Sequence, residues 1–378
     1  MPADFDPLPS KTAHALLLLA VYVGSQINAL AAPIRPDLPQ IQAAADDGRV
    51  SKEVALGEAY LTGQGAPHDL KQAAYWYEKA AGQGDPAAQN QIGYLYQTGL
   101  GVPLDPIRAV HWYQLAASNG LTDAKVNLAV AYLWGSGVQK DPATAERLLH
   151  EAAEKGNGIA LTYLGDMYFM GIGVPKDEAV GEKWYEKAIQ SRNYLASYRM
   201  GVILSDPRRD SRDLKRALSL FRASASAGFV AAMHSAGLLL VNHPEMCSSH
   251  GEALALLNEA ASAGMWKSSF ALGALARDGK WVPQDPRQAY FHFRAGSLQG
   301  GDAASPIARN DLQVLSAIIS PQERAELDEK AMAWAEEHNQ PFQMIYKNHK
   351  GKTSLAAIAL ATPQSGSHAG NLIPASLF

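Results

Sequence analysis

Apolar and small residues recur along this chain at one fixed spacing. The segment Leu56–Tyr60 (LGEAY) returns as Ile92–Tyr96 (IGYLY), and three columns of residues keep a step of 36 positions through seven copies. A repeat period kept for this long predicts a repeat architecture. The first column is small: Gly57, Gly93, Ala129, Gly165, Gly201, Gly237 and Gly273. The second is Ala73, Ala109, Ala145, Gly181, Ala217, Ala253 and Ala289, and the third is bulky: Tyr77, Tyr113, Leu149, Tyr185, Phe221, Leu257 and Phe293.

The spacing within each repeat predicts two helices. Leu56, Gly57 and Tyr60 share one helical stripe, and Ala73 and Tyr77 share a stripe on a second helix. A small residue opposite a large ring lets two helix backbones approach while the ring fills the gap between them. Because glycine costs about 1 kcal/mol relative to alanine within a helix, its recurrence there indicates close packing.

Capping residues mark where the helices begin and end. An aspartate precedes most second helices, and some carry proline at their first position; aspartate accepts the orphan amide protons there, and proline has none to lose. These residues are Asp69, Asp105, Asp141, Asp177, Asp213 and Asp285, with Pro106, Pro142 and Pro286. Paired glycines such as Gly99 and Gly101 are predicted to turn the chain between the two helices. The second helix is predicted to end at a left-handed glycine: Gly84, Gly120, Gly156, Gly228, Gly264 and Gly300.

The columns together give the pattern A-x-x-x-L-G-x-x-Y-x-x-G-x-G-V-x-x-D-x-x-x-A-x-x-W-Y-x-K-A-A-x-x-G. Residues 88–120 are nearly a complete copy of it. This pattern resembles the Sel-one-like repeat, a relative of the tetratricopeptide repeat, over about residues 51–300. The resemblance implies an all-α fold, a right-handed α-solenoid of seven antiparallel helix pairs. Members of that family act as adaptor scaffolds in signalling, secretion and cell-envelope processes, so the resemblance also implies partner binding.

Composition and charge exclude several classes of function. Lys plus Arg number 33 against 37 Asp plus Glu, and no basic block is present, which argues against nucleic acid as a partner. The single cysteine, Cys247, excludes an intramolecular disulfide. The sequence contains no phosphate loop, no H-E-x-x-H and no G-x-S-x-G. We therefore expect a protein that is not an enzyme and that has neither a cofactor nor a metal.

The N-terminal segment has the order of a secretory signal. Lys11 precedes the uncharged run Ala15–Gly24, and Ala29–Ala31 (ALA) follows as a small-x-small cleavage site. We expect cleavage near Ala31 and a periplasmic or secreted protein, with residues 32–50 as a linker and N-terminal cap. Two alternatives stay open: an uncleaved segment that contacts the membrane, and a cytoplasmic regulator.

The C-terminal part is predicted to cap the solenoid over residues 301–340. Asp302 can begin an eighth first helix that continues through Leu315, and Ser320–Glu323 forms a capping box before a charged helix. Solenoids need such a polar cover because a terminal repeat otherwise exposes its apolar face. Residues 341–378 lack the period and are predicted to be a flexible tail.

A partner-binding surface is predicted on the first helices, which line the concave face in solenoids of this type. The positions at −3, +1 and +4 from the small residue are expected to point away from the core. The middle of this strip is apolar, and an exposed apolar patch usually marks an interaction site. The alternative is that curvature buries these side chains between repeats. The predicted residues are Tyr94, Val126, Val130, Leu133, Phe169, Tyr198, Val202 and Leu238.

Two turns depart from the glycine pattern. The loop at 206–213 holds three arginines that could bind an anion or an acidic partner, although neighbouring aspartates favour a solvated loop. In the loop at 242–250, the spacing of His243, Cys247 and His250 is compatible with a metal site, but Cys247 is equally consistent with a small buried hydrophobe.

Tryptophan–tyrosine pairs invite a sugar-binding or cation-binding interpretation. They follow the repeat period, so packing explains them better. The pairs are Trp76-Tyr77, Trp112-Tyr113 and Trp184-Tyr185.

The leading hypothesis is a non-catalytic exported scaffold that binds a protein or peptide on its concave face. The alternative is an envelope glycan-binding protein or hydrolase that uses the loops at 206–213 and 242–250.

Overall fold

The computed structural model describes residues 42–43, 45–247 and 249–338, without the side chains of residues 250, 302, 303 and 305. Along this part of the chain, helices follow one another in pairs and no β-strand occurs. The predicted all-α fold of repeated helix pairs is confirmed. The α-helices are α1 Val50–Thr62, α2 Leu70–Gly82, α3 Pro86–Thr98, α4 Pro106–Ser118, α5 Thr122–Trp134, α6 Pro142–Glu154, α7 Gly158–Met170, α8 Glu178–Gln190, α9 Tyr194–Ser205, α10 Leu214–Ser226, α11 Val230–Asn242, α12 His250–Ser262, α13 Trp266–Asp278, α14 Pro286–Ile318 and α15 Pro321–His338.

The chain divides into two compact units, of which the first comprises residues 1–193 and contains repeats one to four. Each first helix in this unit packs against the second helix of its own repeat through the small and bulky columns. A Cβ placed on Gly93 would lie 2.8 Å from the ring of Tyr113, which is fully buried. The same arrangement joins Gly57 to Tyr77. The predicted close approach of the two helices is therefore confirmed.

The glycine turns also set the distance between successive repeats. Gly137 has a φ of 71°, and a Cβ placed on it would lie 2.0 Å from the carbonyl oxygen of Pro106, at the start of the preceding second helix. Gly65, the same position in repeat one, has a φ of 86° but no atom within 4 Å of its Cβ position. In repeats one to four, glycine thus provides the left-handed backbone conformation of the turn, and from repeat two onward it also permits the close approach to the preceding repeat.

Helix capping follows the prediction. The Asp105 side chain accepts the backbone N–H of Arg108 at 3.0 Å, and Asp69, Asp141, Asp177, Asp213 and Asp285 do the same on their own helices. The predicted glycines after the second helices have positive φ in five repeats: Gly84, Gly120, Gly156, Gly228 and Gly264. In repeat four, Arg192 occupies this place with a φ of 57°.

The described residues before α1 pack against the side of repeat one that has no preceding repeat. Ala45 has no exposed surface and lies in a core cluster with Leu56 and Trp76. The Lys79 ammonium group donates a hydrogen bond to the carbonyl oxygen of Ala45 at 3.2 Å. These contacts agree with an N-terminal cap.

The second unit, residues 194–378, contains repeats five to seven. The predicted helix stop at Gly300 is wrong: Gly300 lies inside α14, and the break falls at Gly301, with φ 54° and ψ −134°. The reason is that no linker separates the second helix of repeat seven from the helix that follows. The predicted eighth first helix is therefore the later part of α14. The Asp302 side chain, proposed as its cap, lies outside the described residues.

The capping box before α15 is confirmed. The Glu323 backbone N–H donates to the Ser320 hydroxyl oxygen at 3.3 Å, and the Ser320 N–H donates to the Glu323 carboxylate at 3.2 Å. Asp328 on α15 accepts hydrogen bonds from Tyr290 and Arg294 of α14, at 3.0 Å each. The last described helix is thus fastened to repeat seven.

Two predictions fall on the remaining residues. The signal at 1–31 and the tail at 341–378 lie outside the described part of the chain. Within the described part, no helix combines the length and the apolar character needed to cross a membrane.

Candidate functional site

Most of the predicted partner-binding strip is buried. The two half-buried members are Phe169 and Leu238. The exposure expected for the other six is therefore wrong. These six have between 0% and 7% of their surface exposed: Tyr94, Val126, Val130, Leu133, Tyr198 and Val202.

Helix geometry explains the correction. At 100° per residue, positions −3, +1 and +4 lie only about 40–100° from the small column, so they flank the side that faces the second helix instead of opposing it. The neighbouring first helix covers this side. The Asn127 amide on α5 donates to the Asn90 side-chain oxygen on α3 at 2.8 Å, and both residues are buried. The structure thus supports the alternative in which these side chains are packed between repeats.

The second unit shows the same use of the strip. The His234 ring Nδ1 lies 2.8 Å from the Ser268 hydroxyl oxygen of the next repeat, and both residues are buried. The rings of Tyr198 and Phe229 are 5.1 Å apart. Burial lowers the pKa of His234 to about 4, with a smaller effect from the nearby Lys267 charge. His234 is therefore a neutral packing residue near neutral pH.

Buried carboxyl groups in the first unit join helices, either between successive repeats or within one repeat. Asp123 accepts a hydrogen bond at 2.7 Å from the amide of Asn157, which caps the first helix of the next repeat. Burial raises the pKa of the Asp123 carboxyl, and the Asn157 bond opposes this effect. The Asp166 carboxylate accepts a hydrogen bond from the Tyr185 hydroxyl group at 2.6 Å.

Among the described residues, no group of three His, Cys, Asp or Glu side chains is arranged to hold a metal ion.

The arginine loop at 206–213 is partly neutralised from within. The Arg208 guanidinium donates to both carboxylate oxygens of Asp206 at 3.0 Å, and this bond lowers the pKa of the Asp206 carboxyl. The arrangement agrees with a self-neutralised surface loop and leaves anion binding without support.

The loop at 242–250 makes local contacts as well. The His243 ring lies 3.2 Å from the Glu245 carboxylate, and the Cys247 thiol donates to the Ser249 carbonyl oxygen at 2.7 Å. The side chain of His250, the third proposed ligand, lies outside the described residues.

The tryptophan–tyrosine pairs are packing residues. Their three tyrosines are buried, and Trp76 is 2% exposed. The half-buried Trp184 meets His150 of the preceding repeat edge to face, with ring centroids 5.4 Å apart. These contacts agree with the packing interpretation.

Four partly accessible apolar side chains of the first unit lie where the first helices of repeats three and four end. We call Trp134, Phe169, Met170 and Ile172 the turn edge; all four are half-buried. Trp134 and Met170 are the last residues of α5 and α7, one repeat apart. Of these four residues, only Phe169 belongs to the strip predicted from the sequence. The signal that was missed is the residue directly before each glycine turn, which the packing columns do not include.

Phe169 of the turn edge is held in place by contacts within repeat four. The rings of Phe169 and Tyr185 are 6.2 Å apart, and a Cβ on Gly181 would lie 2.6 Å from the Phe169 backbone nitrogen. Gly181 therefore brings α8 against the end of α7. The edge is a preformed apolar surface of an aromatic ring, an indole and two flexible or branched chains.

Comparison with known proteins agrees with the fold. The family model for the Sel1 repeat matches six segments, which together span more than half of the chain: residues 53–85, 86–121, 122–157, 158–193, 195–229 and 266–301. The copy at about 230–265, which contains the divergent loop at 242–250, lies outside these segments. No curated protein matches the chain.

Several solved structures are similar. A Sel1 repeat protein from Oxalobacter formigenes is 26% identical with a TM-score of 0.54, covering 69% of this chain and 99% of that one. The protective antigen c5321 of uropathogenic Escherichia coli, which displays an SLR fold, is 23% identical with a TM-score of 0.41, covering 88% and 76%. A sel1 repeat protein from Klebsiella pneumoniae subsp. pneumoniae is 22% identical with a TM-score of 0.38, covering 53% and 97%.

Proposed function

Because the chain belongs to the Sel1 repeat family, we propose that it is an exported, non-catalytic scaffold that binds a protein or peptide partner. Sel1 repeats typically mediate protein–protein interaction. The recurring columns, the buried strip and the tryptophan–tyrosine pairs take part in packing between helices. The binding surface is therefore sought among the side chains that this packing leaves accessible.

The observation that carries this proposal is the turn edge. Interfaces are enriched in methionine and in aromatic residues such as tryptophan, and a few such side chains supply most of the binding free energy. Met170 is also flexible enough to adapt to different partner shapes. We therefore place the proposed binding surface at the ends of α5 and α7. The rest of the predicted strip on α5 is excluded from it because Val126, Val130 and Leu133 are buried.

The chemistry of the edge favours an apolar partner segment. Its four side chains carry no charge. Thr98 and Thr62 occupy the position of Trp134 in repeats two and one, and their hydroxyl groups donate hydrogen bonds to backbone carbonyl oxygens of their own helices. A short peptide with two apolar anchors, one for each of the two repeats, matches this surface. The edge offers nothing that would polarise a substrate, in agreement with a binding role.

Capture from cell-envelope extract tests the proposal. The wild-type protein is compared with Met170→Asp/Ile172→Asp, and with the control Ile107→Asp, whose side chain is 72% exposed on α4. We expect the wild type and the control to retain the same protein and the double variant to lose it, with equal circular dichroism for all three.

Two outcomes contradict the proposal. One is capture that the double variant leaves unchanged, and the other is binding to a soluble-sugar array without any protein partner, which supports the glycan-binding alternative. Export is tested separately by mapping the N-terminus of the native protein. Cleavage near Ala31 supports it, and retention of residues 1–31 supports an anchored or cytoplasmic protein.

A further inference from the structure

The later part of α14 carries an exposed aliphatic stripe. Ile307, Val314 and Ile318 are 59%, 55% and 64% exposed. Their spacing of i, i+7 and i+11 places them on one side of the helix. At 1.5 Å per residue, the stripe is about 16 Å long. We refer to these three residues as the terminal stripe.

This exposure is unusual for its place in the repeat. The first-unit residues that precede Ile307 by multiples of the period are almost fully buried: Gln91, Asn127 and Tyr163, at 8%, 2% and 1%. The equivalent residues in the second unit, Arg199, Ser235 and Ala271, are half-buried. Other first helices therefore have this position covered at least in part, and Ile307 lacks that cover.

The last described helix does not supply it. On α15, Leu327 packs against the cluster that contains Leu315 and Ile319, and Trp334 meets Phe291 with ring centroids 6.0 Å apart. These contacts use a different side of α14. The predicted polar cover of the solenoid end is thus incomplete at the terminal stripe.

We propose that residues Leu355–Ala361 of the same chain bind to the terminal stripe. This segment, LAAIALA, is the longest uninterrupted apolar run that follows His338 in the sequence. It contains no charged or hydrogen-bonding side chain, which matches a surface made of two isoleucines and a valine. Burial of these side chains from water supplies the driving force.

The connection is long enough. α15 ends at His338, whose carbonyl oxygen lies 3.4 Å from the Cβ position of Gly264, and so beside the start of α13. The sixteen residues 339–354 can span up to about 53 Å when extended. Neighbouring helix axes are only about 8–10 Å apart, so the segment can reach α14 from there.

The small size of the stripe favours this occupant over a second copy of the chain. A stable dimer buries about 800 Å² on each partner, and three aliphatic side chains provide far less. A tethered segment binds at an effective concentration of the order of mM, whatever the protein concentration. A contact too weak to hold two chains together can therefore still hold a segment of one chain.

Cysteine cross-linking in the full chain tests the proposal. In a Cys247→Ser background, Ile318→Cys/Ile358→Cys is oxidised at low protein concentration and compared with Ile107→Cys/Ile358→Cys, which carries an exposed cysteine on α4. We expect the disulfide to form within one chain, and at least tenfold faster for the first pair than for the control. Equal rates would overturn the proposal, and so would disulfide-linked dimers formed by Ile318→Cys alone.

Hydrogen exchange gives an independent measurement without cysteines. Leu355→Asp/Ile358→Asp is compared with Ser365→Asp/Ser367→Asp, which adds the same charge outside the apolar run. We expect at least tenfold faster exchange of backbone amides in residues 304–318 for the first variant only. Unchanged exchange in both variants contradicts the proposal.

Discussion

Alanine at Gly137 tests how the glycine turns hold successive repeats together. The residue lies at φ 71°, and its Cβ would stand 2.0 Å from the Pro106 carbonyl oxygen and 2.8 Å from the backbone nitrogen of Ile107. Both contacts are with backbone, so no side-chain rotation can relieve them. Repeat three must shift away from repeat two to admit the methyl group.

Gly65 provides a matched control. It has a similar left-handed conformation, φ 86°, but nothing lies within 4 Å of its Cβ position. Gly65→Ala therefore carries only the left-handed strain of about 1–2 kcal/mol. Gly137→Ala carries the same strain and an overpacking cost of about 1–3 kcal/mol or more. The stiffer unfolded chain of an alanine variant affects both alike, so it cancels in the comparison.

The measurement is urea unfolding of the wild type and both variants, followed by far-ultraviolet circular dichroism. We expect the free energy of unfolding to fall by about 1–3 kcal/mol more for Gly137→Ala than for Gly65→Ala. Gly101→Ala, whose Cβ would lie 2.1 Å from the Leu70 carbonyl oxygen, should behave like Gly137→Ala. Equal losses at Gly65 and Gly137 would refute the conclusion that these turns set the spacing of the repeats.

Three further substitutions test the buried residues that pack between repeats. Val130→Asp is expected to lower the free energy of unfolding by about 3 kcal/mol or more, because it buries an unpaired carboxylate at a fully buried position; an unchanged urea midpoint would contradict this. Asp123→Asn is expected to raise the urea midpoint at neutral pH, since burial raises the pKa of the Asp123 carboxyl and asparagine still accepts from Asn157; the gain should shrink as the pH falls and the wild-type carboxyl takes up its proton. His234, with its pKa lowered to about 4, binds a proton less readily in the folded than in the unfolded state, so its contribution falls by about 2 kcal/mol between neutral pH and pH 5. His234→Asn should lose less stability than the wild type over this range, and an equal loss in both proteins would show that another group is responsible.

Packing inside a repeat was readable from the sequence because each contact recurs in six or seven of the repeats. The pairing of Gly93 with Tyr113 and the capping of α4 by Asp105 follow from spacing and residue chemistry alone. Both are local, and each involves residues within one helix pair. Such contacts leave a period in the sequence.

Contacts between repeats were harder to predict. The strip around Val130 was placed on the surface because its positions were expected to point away from the core on the concave face. Whether a side chain in that direction meets water or the neighbouring helix depends on how closely successive first helices approach. That distance is set by turn contacts such as Gly137 with Pro106, and no pattern within a single repeat reveals it.

The backbone conformation at some positions that depart from the pattern was also not predicted. Arg192 and Trp281 adopt left-handed conformations, with φ 57° and 70°, at places where other repeats have glycine. The merged helix α14 breaks at Gly301 one residue later than the period predicts. In each case the tertiary context overrides a local preference.

Photo-crosslinking from the turn edge tests the central claim, that this solenoid binds a partner there, most directly. A benzophenone amino acid is placed at Met170 or, as a control, at the more exposed Ile107, and the protein is irradiated in its own cells. We expect an adduct with one discrete protein from position 170 and none from position 107. Adducts of equal yield and identity from both positions, or no protein adduct from position 170, would contradict it.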